Sequence, residues 1–227
     1  MNTYKDTKLN WEFGTAYDFF VSQFVLHNPE RFSLRPNWAA GVRSRLNPEL
    51  RQTLEHAINA LPSSIRFVFS LPAKNKDSEA VLKNLASKTP LKRLDDISAL
   101  EHANPIYQTI LRETTPNKPW TETEREMLIE NTIGPERRNN ARYLDSLYAI
   151  WSDPKTFSDM YLAALTAYRE SFFAEEEQRI LPSLKQALSY AQMRSGSLSL
   201  PLLLEELTSG VRYSDLEQTK SIYLAPS

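Results

Sequence analysis

Residues 153–193 read DPKTFSDMYLAALTAYRESFFAEEEQRILPSLKQALSYAQM, and this stretch decides the fold. Large apolar side chains recur along it every three or four residues, which is the spacing of one face of an α-helix. Asp153 is a typical N-cap residue, and Pro154 fits the first turn of a helix. Because the apolar stripe continues beyond Pro182, we expect one helix that is kinked there and about 60 Å long.

A helix of that length exceeds the width of a small domain, so part of it is expected to pack against a partner chain. The sequence therefore predicts a homodimer. We take Tyr168, Phe172 and Pro182 as candidate residues of a helix that makes the dimer contact and transmits a conformational change.

The same periodicity predicts further helices on both sides of this stretch. Residues 11–26 carry an apolar stripe that ends at Asn28-Pro29, and another helix is expected to open at Pro36. Asn47 is expected to cap the next helix, and residues 121–124 (TETE) fit a capping box. Residues 139–151 predict a helix with its aromatic side chains on one face.

Two short segments are candidates for strands. Residues 64–71 (SIRFVFSL) fit either a strand or a buried helical turn, and periodicity does not separate the two. Residues 221–224 (SIYL) predict a strand, which either pairs with residues 65–70 or begins another domain. The fold class expected overall is all-α, a multi-helix bundle with at most one or two short strands.

Composition excludes several classes of protein. The 227 residues include no cysteine, five glycines, 27 Lys+Arg and 28 Asp+Glu, with a formal net charge of −1. Without cysteine there is no disulfide framework and no thiolate metal site. Average glycine usage is about 7%, and five glycines in 227 residues are far fewer than that. Because tight hairpins commonly need glycine, the low glycine content favours helices. No run of about 18 apolar residues and no signal peptide occur, so we expect a cytoplasmic protein without a membrane span.

No motif points to catalysis or to a cofactor. The patterns HExxH, GxSxG, GxxxxGK[ST] and GxGxxG are all absent, so we expect no enzyme and no cofactor. His27, His56 and His102 are isolated in the sequence, which favours surface or interface roles over a metal site. A deep pocket with two convergent titratable groups would favour an enzyme instead.

Arginines surround an aromatic side chain between residues 31 and 45. Such a group suits an anionic or planar ligand through charge and stacking. The candidate ligand pocket consists of Tyr17, Trp38, Arg43 and Arg45. In the alternative interpretation, Trp38 packs in the core and the arginines donate to carbonyl groups and Glu30.

Three blocks carry a resemblance to a known family: residues 14–22 (GTAYDFFVS), 25–32 (VLHNPERF) and 38–46 (WAAGVRSRL). They resemble the N-terminal part of long, two-part regulators grouped with the ArsR-type winged-helix transcription factors. Residues 167–188 and 207–227 resemble the same proteins more loosely. In those regulators, a helical region of about this length precedes a C-terminal helix-turn-helix.

The resemblance implies a helical sensor and dimerisation domain over residues 1–217. Residues 218–227 would begin the strand that leads to a winged helix outside this chain. DNA would then be bound only through that absent domain, and a small-molecule effector is the expected ligand. Metal sensing is not implied, because the chain has no cysteine pair. The alternative is a stand-alone helical protein-interaction module.

Overall fold

The computed structural model describes residues 7–61, 64–73, 76–130, 141–214, 216 and 219–226. In these ranges the protein is an all-α bundle with one two-stranded sheet, which confirms the expected fold class. The strands are β1 (Lys8–Trp11) and β2 (Ser221–Leu224). The helices are α1 (Ala16–His27), α2 (Pro36–Arg43), α3 (Pro48–Ala60), α4 (Ser64–Ser70), α5 (Ser78–Ala86), α6 (Pro90–Ser98), α7 (Pro105–Arg112), α8 (Glu122–Glu130), α9 (Ala141–Trp151), α10 (Pro154–Tyr168), α11 (Ala174–Ser195) and α12 (Leu200–Leu207).

The predicted helix caps are formed. Asn47 Oδ1 accepts from the Leu50 N–H at 2.9 Å at the start of α3. Asp153 Oδ1 accepts from the backbone N–H three residues later at 3.2 Å. At α8 the Thr121 N–H donates to Glu124 Oε2 at 2.8 Å, and the Glu124 N–H donates to Thr121 Oγ1 at 3.3 Å. Each cap satisfies an N–H group that has no partner inside its helix, which is why these residues fix the helix starts.

Helix α10 is the central element of the core. It packs against α3, α6 and α9, and its buried stripe includes Phe157, Tyr161 and Leu165. From α6, the buried Arg93 guanidinium donates to the Ser158 carbonyl and to Asp159 Oδ1, both at 2.9 Å. A buried guanidinium must be hydrogen-bonded to be tolerated, so Arg93 fixes α6 on α10.

Helices α10 and α11 form one long helix. They are joined by a π-helical segment, Arg169–Phe173, which we call the π segment. The helix continues past Pro182 to Ser195, as predicted. The residue buried at the junction is Phe173 at 2% exposure, whereas the predicted stripe residue Phe172 is half-buried.

The predicted start of the first helix is wrong, and the structure decides between the two alternatives for residues 64–71. Trp11 lies in β1, so the predicted helix over residues 11–26 begins only at Ala16. Residues 64–70 form helix α4, which buries the adjacent Phe67 and Val68. A strand would direct these two side chains to opposite faces, and the helix brings both toward the core.

The strand at residues 221–224 is confirmed, but its pairing with residues 65–70 is wrong. β2 pairs in parallel with β1, with Lys8 opposite Ser221 and Trp11 opposite Leu224. The sequence also predicts that the helix after residues 121–124 stops at Gly134-Pro135, and these two residues lie outside the described ranges. Among the described helices, none is both long enough and apolar enough to cross a membrane.

Candidate functional site

Three helix segments enclose an open, charged cleft, which we call the arginine cleft. It has a volume of about 360 Å³ and is lined by His27, Ala40, Arg43, Arg51 and Glu55. His27 is the last residue of α1, and Arg43 is the last residue of α2. Arg51 and Glu55 are four residues apart on α3 and therefore lie on one face of that helix.

The two arginines of the cleft are bound differently. Arg43 Nη1 donates to the Leu26 carbonyl, one of the last carbonyls of α1. A cation at a helix C-terminus is favourable because the free carbonyls carry partial negative charge. In the described part of the chain, the Arg51 side chain has no hydrogen-bond or ion-pair partner, although Glu55 is one turn away. Arg51 therefore presents unused donors beside the open cleft.

His27 contributes a neutral ring to the same cleft. Its Nδ1 lies 2.8 Å from the Gln23 carbonyl oxygen, which can only accept, so Nδ1 carries the proton. Burial lowers the pKa of His27 below its usual value. The Nε2 atom is buried and lacks a hydrogen-bond partner in the described part of the chain.

A second, enclosed cavity of about 10 Å³ adjoins the cleft. His27, Arg43 and Arg51 line it as well, so these three side chains form the wall that the two spaces share. That volume is close to the minimum that holds one water molecule. Tyr168 lines the enclosed cavity from the long helix, and its hydroxyl donates to Ser22 Oγ at 2.8 Å.

Helix α2 connects the arginine cleft to the π segment. Trp38 packs edge-on against Phe172, with ring centroids 6.0 Å apart. Arg45 Nη1 donates to the Ser171 carbonyl at 2.9 Å. A π-helical turn inside an α-helix is frequently found at a functional site. The segment that carries Arg43 into the cleft therefore also contacts the irregular part of the long helix.

The structure thus separates the four predicted pocket residues. Arg43 lies in the arginine cleft, and Trp38 and Arg45 lie beside it on the π segment. Tyr17 lies elsewhere: its hydroxyl donates to Glu12, and burial and this carboxylate raise its pKa. As the alternative interpretation predicts, Arg43 and Arg45 donate to carbonyl groups, whereas Trp38 is 45% exposed and is not a core residue.

The candidate residues of the transmitting helix are also at different depths. Tyr168 is 2% exposed and belongs to the core of the chain, whereas Pro182 is exposed. Phe172 lies half-buried between Tyr168 and Trp38. Tyr168 and Phe172 therefore pack within the chain and are not free surface of the long helix.

A separate polar network joins the N-terminal segment to α5 and α11. Glu177 accepts hydrogen bonds from the Ser78 N–H at 2.9 Å, from Ser78 Oγ at 2.6 Å and from the Thr15 hydroxyl. Arg169 Nε donates to Ser78 Oγ at 2.8 Å. Since the polar atoms of this network hydrogen-bond to one another, the network holds the N-terminal segment, α5 and α11 together and is assigned a structural role.

Sequence reasoning missed Arg51 and the role of His27. Arg51 lies in an ordinary helical pattern, and only the tertiary approach of α1 and α2 places His27 and the cationic Arg43 beside it. One local signal was present in the sequence, because Arg51 and Glu55 have the four-residue spacing of a helical ion pair. The structure leaves that ion pair unformed.

In the described ranges, no group of three or more His, Asp and Glu side chains is placed so that it could hold a metal ion. The arrangement is suited to holding an anion by charge and hydrogen bonds. Comparison of the chain with protein-family models, with curated proteins and with solved structures found no match.

Proposed function

We propose that this chain is the effector-sensing region of a transcriptional regulator and that it binds a small anion in the arginine cleft. The observation that carries the proposal is the free Arg51 side chain beside Arg43 in an open cleft. Guanidinium groups bind carboxylates and phosphates through parallel N–H donors. The resemblance of residues 14–46 to the ArsR-type regulators supports the regulatory part of the proposal.

The signal passes through α2 in this proposal. An anion in the cleft competes with the Leu26 carbonyl for Arg43, at the end of α2. Movement of that turn alters the Trp38–Phe172 and Arg45–Ser171 contacts and thus the π segment. A ligand shifts such an equilibrium only by its differential affinity for the two packings. The long helix then repositions a DNA-binding domain that lies outside this chain.

The other parts of the proposal concern the location, the assembly and the chemistry of the protein. The protein acts in the cytoplasm, as a homodimer, without catalysis and without a cofactor. Within the long helix, the surface available to a second copy is the exposed part of α11, which carries Tyr190 and Met193. Sedimentation over a range of concentrations tests the dimer, and a strict monomer at high concentration would refute it.

An NMR titration of the backbone amides tests the anion site. Acetate, lactate and inorganic phosphate are added to the wild type, to Arg51→Gln and to Arg66→Gln. Arg66 is an exposed arginine on α4, so its variant controls for the loss of one positive charge. We expect saturable shifts at His27 and Arg43 in the wild type and in Arg66→Gln, and their loss in Arg51→Gln. Saturable shifts that persist in Arg51→Gln contradict the site.

The alternative function, a stand-alone interaction module, is favoured by one observation. Helices α11 and α12 pack together, and they carry three exposed large apolar side chains, Tyr190 and Met193 on α11 and Leu202 on α12. Such surfaces often bind other proteins. If a titration shows no anion site and the chain binds a partner through α11 and α12, the module is the better description.

A further inference from the structure

A third cavity lies along helices α1 and α3 and shares Gln23 with the enclosed cavity beside the arginine cleft. It has a volume of about 330 Å³, and we call it the apolar groove. Its lining includes Phe20 and Phe24 of α1, Ile58 of α3, Leu61 directly after α3, Ile65 of α4 and Tyr161 of α10. A volume of this size falls at the lower end of the range for small-molecule pockets.

Helix periodicity places the cleft and the groove in line. On α1, Phe20, Phe24 and His27 are four and three residues apart, so they share one face. On α3, Arg51, Glu55 and Ile58 have the same spacings. Each helix therefore contributes apolar side chains to the groove at one end of this face and polar side chains to the cleft at the other.

The dimensions suit one molecule that occupies both spaces. From Glu55 to Leu61 the helix rises by about 9 Å at 1.5 Å per residue. This is the reach of a medium-length alkyl chain or of an aromatic ring with a short side chain. Gln23 lines both the apolar groove and the enclosed cavity beside the cleft, so the two regions adjoin at this residue.

Charge in the cleft selects the head group. Arg43 and Arg51 are cationic, Glu55 is anionic and His27 is neutral, so the lining residues together carry a single positive charge. A monoanion compensates this charge, whereas a dianion leaves an excess of negative charge beside Glu55. A carboxylate matches both the charge and the donor geometry of guanidinium groups.

We propose that the effector is an amphipathic carboxylic acid whose carboxylate lies between Arg43 and Arg51 and whose apolar body fills the apolar groove. The inference rests on the proposed function, because it assigns the ligand of the same arginine cleft. It adds a chemical class and an orientation. The apolar body supplies most of the affinity, since each buried CH₂ group is worth about 0.8 kcal/mol, which is about a fourfold change in affinity.

Calorimetric and NMR titrations of the full chain with octanoate, acetate and 1-octanol test the proposal. We expect octanoate to bind at least tenfold more tightly than either acetate, which lacks the chain, or 1-octanol, which lacks the charge. If acetate binds too weakly to measure, the detection limit gives a minimum value for the ratio of the octanoate and acetate affinities. A minimum above tenfold supports the proposal. Equal affinities for octanoate and acetate would overturn the inference and leave the anion site intact.

Two substitutions separate the ends of the site. Arg51→Gln is expected to weaken octanoate binding at least tenfold. Ile58→Gln is expected to weaken octanoate at least fivefold without changing acetate, and Ile106→Gln, at a 53% exposed isoleucine of α7, is the matched control. Octanoate affinity that is unchanged in Arg51→Gln or in Ile58→Gln refutes the orientation. If no probe, octanoate included, shifts the cleft resonances, the proposed function fails as well.

Discussion

Lys76→Met is the substitution that most directly tests how the N-terminal segment is held. The Lys76 side chain is 1% exposed, and its Nζ lies 2.8 Å from both carboxylate oxygens of Glu12, whose side chain is 10% exposed. The Tyr17 hydroxyl donates to the same carboxylate, and the Tyr17 and Phe69 rings lie 5.7 and 5.6 Å from Nζ. Among the ion pairs of the described residues, the Lys76 ammonium is thus the only positive charge that contacts the Glu12 carboxylate.

Methionine removes that charge and leaves Glu12 buried and uncompensated. Removing one partner of a buried ion pair costs about 3–5 kcal/mol, so we expect the free energy of unfolding to fall by about that amount. Typical domains have about 5–15 kcal/mol of stability, and the variant should therefore still fold. Urea unfolding followed by circular dichroism measures the change. Lys83→Met, at an exposed lysine of α5, is the control and should change stability by less than about 0.5 kcal/mol.

The double variant Glu12→Gln/Lys76→Met decides between charge and packing. If the cost comes from the uncompensated carboxylate, the double variant is more stable than Lys76→Met by at least about 1 kcal/mol. If Lys76→Met costs less than about 1 kcal/mol, or if removal of the Glu12 charge recovers nothing, the pair does not hold the segment by electrostatics and the reasoning is wrong.

Three further predictions concern stability. Gly14→Ala should destabilise the protein by more than about 2 kcal/mol in urea unfolding, because φ is +151° and a Cβ would lie 1.9 Å from the Lys76 carbonyl oxygen. In Gly41→Ala the Cβ meets nothing within 4 Å, so this control should be neutral or slightly stabilising. Burial lowers the pKa of His27, so the folded state favours the neutral ring. The contribution of His27 to the free energy of unfolding is therefore complete above the unfolded pKa of about 6.5, and it is lost as the pH falls below that value toward the lowered pKa of the folded state. The stability of the wild type relative to His27→Gln should accordingly decrease from pH 8 to pH 5.5, and an unchanged difference would exclude this linkage. Asp153→Ala should lower stability by about 1 kcal/mol through the lost cap at α10, and a change under about 0.3 kcal/mol in thermal unfolding would argue against it.

Local signals predicted most of the helices. Asn47, Asp153 and the Thr121–Glu124 pair mark helix starts, because each needs only the next three residues to form its hydrogen bonds. The apolar stripes succeeded for the same reason, since spacing along one helix is a local property. Low glycine content agreed with the all-α class.

The remaining features depend on residues that are far apart in the chain. β1 is recognisable as a strand only through β2, and the Thr7 hydroxyl that donates to the Thr219 carbonyl at 2.9 Å joins the same two segments. Lys76 lies in a polar stretch with the sequence character of a loop, and only the approach of Glu12 explains its burial. Three of the four predicted pocket residues lie in or beside the cleft, but Arg51 became a candidate only when α1 and α2 were placed next to it.

The π segment shows how a small departure from helix geometry changes which side chains of the long helix reach the core. Phe19 contacts both Tyr168 and Phe173, with ring centroids 5.8 and 5.1 Å away, although these two residues are five apart. In an α-helix with 3.6 residues per turn, residues five apart point about 140° from one another. A π turn, with its i to i+5 hydrogen bond, brings them to the same side. Phe173 is thereby placed in the core, Phe172 is left facing Trp38 of α2, and the Ser171 carbonyl is left facing Arg45, two residues after the end of α2. A stripe counted at α-helical spacing passes through Phe172 and misses the buried Phe173, because the π turn shifts the register by one residue. The extra residue in that turn places Phe173 in the core and leaves Phe172 and the Ser171 carbonyl in contact with Trp38 and Arg45.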